Sequence, residues 1–136
     1  MTPAFADANY YIALLSPRDG LHEIARRFDE QNPDQDTITT DIVLSEVFAY
    51  FADAGEVVRT SIVKFVDRLR IDTRVTLIHQ SAELFFAGVD LYRRRLDKAY
   101  SLVDCVSMVV CSRLRITDVL TADRHFEQEG FHRLLV

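Results

Sequence analysis

The sequence predicts an α/β domain, a three-layer sandwich in which a short, mostly parallel sheet lies between helices. Short apolar runs bounded by turn residues alternate with longer runs of helical period along the whole chain, the pattern of strands joined by crossover helices. The length of 136 residues suits one domain with a substantial core, spanning 1–136. No internal repeat, low-complexity tract or Gly/Ser linker divides it.

The first predicted strand is Phe5-Ala6-Asp7, which follows Pro3 and ends on an acid. Ala8 to Leu15 reads as a short helix stopped near Ser16-Pro17. Leu21 to Asp29 is amphipathic, with Leu21, Ile24, Ala25 and Phe28 on one side, and Asn32-Pro33-Asp34 breaks it. Thr37-Ile38-Thr39 is the second strand. Thr40 or Asp41 then caps a helix from Ile42 to Asp53, which Gly55 is expected to end. Another helix runs from Val57 to Leu69, Val75 to Ile78 makes a third strand, and a long helix covers Ser81 to about Leu96.

The stretch from Asp97 to Glu127 organises the rest. Ser101 is a candidate N-cap, and Asp104 stands three residues later, where a capping-box carboxylate sits. Val103, Val106, Val110 and Leu114 follow at helical steps, and Leu102, Met108 and Val109 widen the stripe until the helix is apolar on most sides. Val119-Leu120-Thr121 suits an internal strand between Asp118 and Asp123, and His132 to Val136 a last one.

Topology then dictates where the acids lie. In a parallel sheet a helix leaving a strand starts at the sheet's C-terminal edge, and a helix leading into a strand starts there as well. Asp7 and Asp123 close strands, Glu46 is about a turn into a helix that follows a strand, and Asp104 opens a helix that leads into one. All four are expected at one edge, where open α/β sheets bind ligands. Carboxylates crowded there raise each other's pKa values, and a divalent cation that prefers oxygen ligands, Mg²⁺ or Mn²⁺, relieves the repulsion.

Composition narrows the function classes. Apolar residues make up 49% and charged residues 27%, and the net charge is −5. That balance argues against broad electrostatic binding of nucleic acid and leaves room for an acidic site whose charge is reversed by metal. No apolar run is long enough to cross a bilayer and no basic segment leads an apolar block at the start, so the expected place is the cytoplasm, with no membrane partner. Cys105 and Cys111 fall on different faces of one predicted helix and cannot pair; they read as reduced core residues.

The segments FADANYYIALL, TTDIVLSEVFAYF, DKAYSLVDCVSMVV and LTADRHFEQEGF, in that order, resemble the PIN-domain nucleases, and within them the VapC-type toxins of toxin–antitoxin pairs. The resemblance implies a PIN-like fold and a Mg²⁺- or Mn²⁺-dependent endoribonuclease that cuts a structured RNA with metal-activated water. It also implies an antitoxin partner and a homodimer. On this chain the family's catalytic and metal-binding quartet falls on Asp7, Glu46, Asp104 and Asp123, and Asp97 stands where some members have a further acid.

Beside the quartet, Asn9, Ser45, Ser101 and Thr121 are candidates to hold carboxylates or water in place. Arg93, Arg94, Arg95, Lys98 and Arg124 are the candidate RNA contacts, and His125 reads as a surface or RNA-facing residue rather than a general base. Among the aromatic residues Tyr10, Tyr11, Phe48, Tyr50 and Phe51, most are expected in the core and some along a groove that takes a partner peptide. Two other readings stand beside the nuclease. A PIN-like module with an inert site would bind RNA or protein without cutting, against which the four acids count. A phosphatase with Asp7 as nucleophile wants a second aspartate where Asn9 stands.

Overall fold

A computed structural model describes residues 2–136. Five strands form one parallel sheet: β1 (Ala4–Ala6), β2 (Thr37–Thr40), β3 (Val75–Ile78), β4 (Asp118–Leu120) and β5 (His132–Arg133). Their order is β3-β2-β1-β4-β5, with Phe5 beside Ile38 on one side and Val119 on the other. The helices that flank the sheet are α1 (Ala8–Leu15), α2 (His22–Gln31), α3 (Asp41–Tyr50), α4 (Glu56–Ile71), α5 (Ala82–Arg94), α6 (Leu102–Leu114) and α7 (Arg124–Gln128). The predicted sandwich is the observed one.

The physical reason for the central place of β1 is its composition. Ala4, Phe5 and Ala6 are all buried, and only a strand covered on both faces can be apolar throughout. From β1 the chain steps outward to β2 and β3, then returns across the sheet to lay β4 on the other side of β1. The crossover direction therefore reverses between β1 and β4, and a crevice opens at the C-terminal ends of those two strands.

Helix α6 is the most buried helix, enclosing Cys105, Val106, Met108, Val110 and Cys111. The predicted cap is present: the Asp104 N–H donates to Ser101 Oγ and the Ser101 N–H to Asp104 Oδ2, each at 3.0 Å. Helix α5 packs along α6. Gly88 makes this approach possible, because a Cβ there would stand 2.5 Å from Val106 Cγ2 and 3.3 Å from the Val106 backbone nitrogen. Gly88→Ala is expected to cost stability despite alanine's better helix propensity. Overpacking costs about 1–3 kcal/mol and the propensity gain is about 1 kcal/mol. A thermal melt that rises would mean α5 moves off α6 without loss.

Two predicted boundaries are corrected. Helix α3 ends at Tyr50, with Phe51 as C-cap, and Gly55 instead opens α4, where its φ of 92° suits glycine. The expected last strand is only His132–Arg133, and the short helix α7 lies where the sequence predicted none. Both cysteines are free and buried, as expected.

Candidate active site at the sheet edge

The crevice is a cleft of about 630 Å³ lined by Asp7, Asn9, Glu46, Ser101, Asp104, Asp123 and His125, with Ala8, Ile12, Ala49, Tyr50 and Ala99 completing the wall. All four acids predicted to meet there line it. Each comes from a different element, so the fold and not local sequence brings them together. Among the described residues, no lysine or arginine lines the cleft.

Asp7 sits in the N-cap position of α1 but makes no side-chain cap bond, and it lines the cleft. Only 6% of it is exposed. Burial pushes its pKa up to about 7, with the charges of Asp104 and Glu46 adding to the rise, while the Ala8 N–H and the Thr121 hydroxyl oppose it. Glu46, on the second turn of α3, is raised as well, first by partial burial and then by Asp104.

Thr121 ties the floor together. Its hydroxyl donates to Asp7 Oδ2 and accepts from Asn9 Nδ2 and the Asp123 N–H, each at 3.0 Å. One hydroxyl proton and two lone pairs are thereby all used, which fixes Asp7 against the end of β4. Asn9 Oδ1 is buried without a hydrogen-bond partner among the described residues. Ser101 lines the cleft and spends its hydroxyl on the α6 cap.

Asp123 caps α7, its Oδ1 accepting from the His125 N–H at 2.9 Å. That short turn places the His125 ring with Nδ1 3.1 Å from Asp104 Oδ2 and 3.3 Å from Asp123 Oδ1. The sequence placed His125 at the surface or toward RNA, whereas the structure half-buries it against two of the acids. Its neighbour sequence was too short for a periodicity to reveal α7.

Other predicted residues lie elsewhere. Ser45 is exposed and does not line the cleft. Asp97 is likewise outside it, solvated and 3.8 Å from Lys98. Arg93 pairs with Asp90 of its own helix. Arg95 grips Glu129 with Nε and Nη2, each at 2.9 Å from a carboxylate oxygen, so that its guanidinium is committed to this pair while the side chain stays partly exposed. Arg94 and Arg124 are exposed and form no ion pair among the described residues.

A cluster that sequence reasoning missed stands behind His125. The Tyr100 hydroxyl donates to Glu129 Oε1 at 3.0 Å, and its ring lies 5.5 Å from the imidazole. These partners are 29 and 34 residues apart in the chain, and no local pattern signals them.

The donor set fits a divalent cation. One ligand atom each from Asp104, Asp123 and His125 lies within 4.8 Å of the others, Asp7 and Glu46 line the same cleft, and Asn9 Oδ1 is left without a donor. Carboxylates with no cationic side chain among them supply the hard oxygen ligands that such an ion takes.

The fold, a five-stranded parallel sheet flanked by helices, matches the PIN-domain fold. No model of a known protein family matches the sequence, and no curated protein matches it. Among solved structures, the crystal structure of Mycobacterium tuberculosis VapC20, a Sarcin-Ricin loop cleaving toxin, is similar with a TM-score of 0.83 and 25% identity, over 95% of this chain and 96% of that one. The likeness spans nearly the whole chain, so the resemblance carried by the four sequence segments extends to the entire architecture.

Proposed function

We propose that this protein is a divalent-metal-dependent endoribonuclease, the toxin of a toxin–antitoxin pair, and that it cuts a structured RNA loop. One observation carries the reading: four carboxylates from four elements share a cleft without a lysine or arginine, one of them buried with its pKa pushed up to about 7. Such a cleft is unfavourable without a cation. Mg²⁺ or Mn²⁺ supplies, when bound, the charge that attracts a phosphodiester and acidifies water. Asp7, Glu46, Asp104 and Asp123 would hold it. Thr121 fixes Asp7, the α6 cap fixes Asp104, and Asn9 Oδ1 is placed to accept from a ligand or water.

The similar VapC20 is a Sarcin-Ricin loop cleaving toxin. A folded ribosomal or transfer RNA loop is the matching substrate class here, because an acidic protein of net charge −5 holds few phosphates and must select by shape. Arg94 and Arg124 are the phosphate contacts that remain once Arg93, Arg95 and Lys98 are paired with Asp90, Glu129 and Asp97. Arg94→Ala and Arg124→Ala are each expected to weaken RNA binding and lower the salt slope by about 1, without altering metal affinity. An unchanged slope would remove that arginine from the interface.

The antitoxin would seat an apolar segment between α3 and α4, where Phe48, Phe51, Ile62 and Val63 line a groove and Phe48 is 41% exposed. Tyr10 and Tyr11 are core residues and would take no part. A homodimer is the assembly expected from the resemblance, and light scattering reads it directly.

The test of the activity uses purified protein with ribosomal and transfer RNA. Cutting should appear with Mg²⁺ or Mn²⁺, vanish with EDTA, and vanish with Asp123→Asn. A protein that binds these RNAs and cuts none of them under any divalent ion would be an inert module.

A further inference from the structure

Four carboxylates explain why the cleft takes a cation, but they do not distinguish one hard divalent ion from another. His125 does. Among the described residues it is the one nitrogen-bearing ionisable side chain lining the cleft, and its Nδ1 faces Asp104 Oδ2 at 3.1 Å and Asp123 Oδ1 at 3.3 Å. Two adjacent ligands of a six-coordinate ion with bonds near 2.1 Å stand about 3 Å apart. The nitrogen is therefore spaced from both oxygens as a neighbouring ligand would be.

The ring is also held there. Its backbone N–H is tied to Asp123 Oδ1, and the buried Tyr100 ring lies behind it at 5.5 Å. Tyr100 is in turn fixed by Glu129, which Arg95 grips as a fork. A side chain that merely met RNA at the surface would not need this backing.

We propose that His125 is a nitrogen ligand of the divalent ion held by Asp104 and Asp123, and that it tilts the site toward Mn²⁺ and away from Mg²⁺. The proposal rests on the metal-dependent reading above and deepens it. Mg²⁺ takes oxygen ligands and keeps its waters, whereas imidazole is a ligand of first-row transition ions. A carboxylate only accepts, so in the metal-free protein the proton in the His125–Asp104 contact is on Nδ1. The ion takes that proton's place on Nδ1, and the ring, bound as a neutral imidazole, carries its one proton on Nε2.

The experiment measures Mn²⁺ and Mg²⁺ affinity by Mn²⁺ electron paramagnetic resonance, with Mg²⁺ as competitor, in wild type, His125→Ala, His125→Asn and Asp104→Asn. His125→Asn keeps a donor to Asp104 and guards against misfolding, which circular dichroism checks. Expected is a fall in Mn²⁺ affinity of about 10- to 100-fold in both His125 variants, with Mg²⁺ affinity little changed. Spin-echo modulation from a coordinated ¹⁴N should be present in wild type and absent in both. If Asp104→Asn abolishes Mn²⁺ binding but the His125 variants keep the wild-type Mn²⁺ to Mg²⁺ ratio, and no nitrogen is seen, His125 is no ligand while the nuclease reading stands. If wild type binds neither ion, both fall.

Discussion

Asp7→Asn is expected to make the metal-free protein more stable at pH 8, by as much as roughly 4 kcal/mol, and to leave it nearly unchanged near pH 4. The sign follows from the direction of the shift. The Asp7 carboxyl titrates at about 7 in the folded protein against an ordinary 3.8, so the folded state keeps a proton that the unfolded chain has released. Stability is thus lost progressively as pH rises from about 4 to 7 and stays lost above 7. At 1.36 kcal/mol per unit this sets the upper size of the effect. Asparagine mimics the protonated acid, keeps an oxygen for Thr121, and removes repulsion from Asp104 and Glu46. Urea unfolding in EDTA at both pH values reads the difference. Added Mn²⁺ should then stabilise wild type at pH 8 and do much less for the variant. An Asp7→Asn protein less stable than wild type at both pH values would make the carboxylate a structural hydrogen-bond partner, with no electrostatic cost stored in the cleft.

The second large effect separates chemistry from folding at Asp104. This residue both completes the α6 capping box and faces the cleft at 8% exposure. Asn at this N3 position keeps a side-chain oxygen to accept from the Ser101 N–H, so Asp104→Asn should fold and melt close to wild type. RNA cutting should nevertheless fall on the order of a thousandfold, the scale on which loss of one preorganised charge-stabilising group is felt. Asp104→Ala should lose activity equally and about 1 kcal/mol of stability besides, because the Ser101 N–H loses its acceptor. Cleavage assays paired with thermal melts distinguish the two. Wild-type activity in Asp104→Asn would leave the carboxylate as a cap and nothing more.

Much of this site was legible before any coordinates. The alternation of apolar strands and helices fixed which ends of which elements share an edge, and Asp7, Glu46, Asp104 and Asp123 all line the cleft there. Ser101 and Asp104 form the box that the S-x-x-D spacing predicted. Thr121, chosen for its place beside Asp123, proves to be the hydroxyl that locks Asp7. What sequence could not supply was long-range pairing. Arg95 sits in the densest basic run, and only the fold reveals that Glu129 claims it. His125 looked exposed because its five-residue helix, Arg124–Gln128, carries no apolar stripe, and only one side chain in it, Phe126, is buried. Ser45 and Asp97 were near the acids in sequence and outside the cleft in space, since a step of one residue on a helix turns a side chain by about 100° and a loop residue has no periodicity to place it.

The most direct measurement of the central claim is the chemistry of the cut ends. Total RNA incubated with purified protein and Mg²⁺ or Mn²⁺, then sequenced at its new termini, should show cuts at a folded loop with 5′-phosphate and 3′-hydroxyl ends, as hydrolysis by water activated at an acidic metal site requires. Ends carrying 2′,3′-cyclic phosphate, or cutting that persists in EDTA, would show that the RNA's own 2′-hydroxyl is the nucleophile and that the four carboxylates do not perform the reaction.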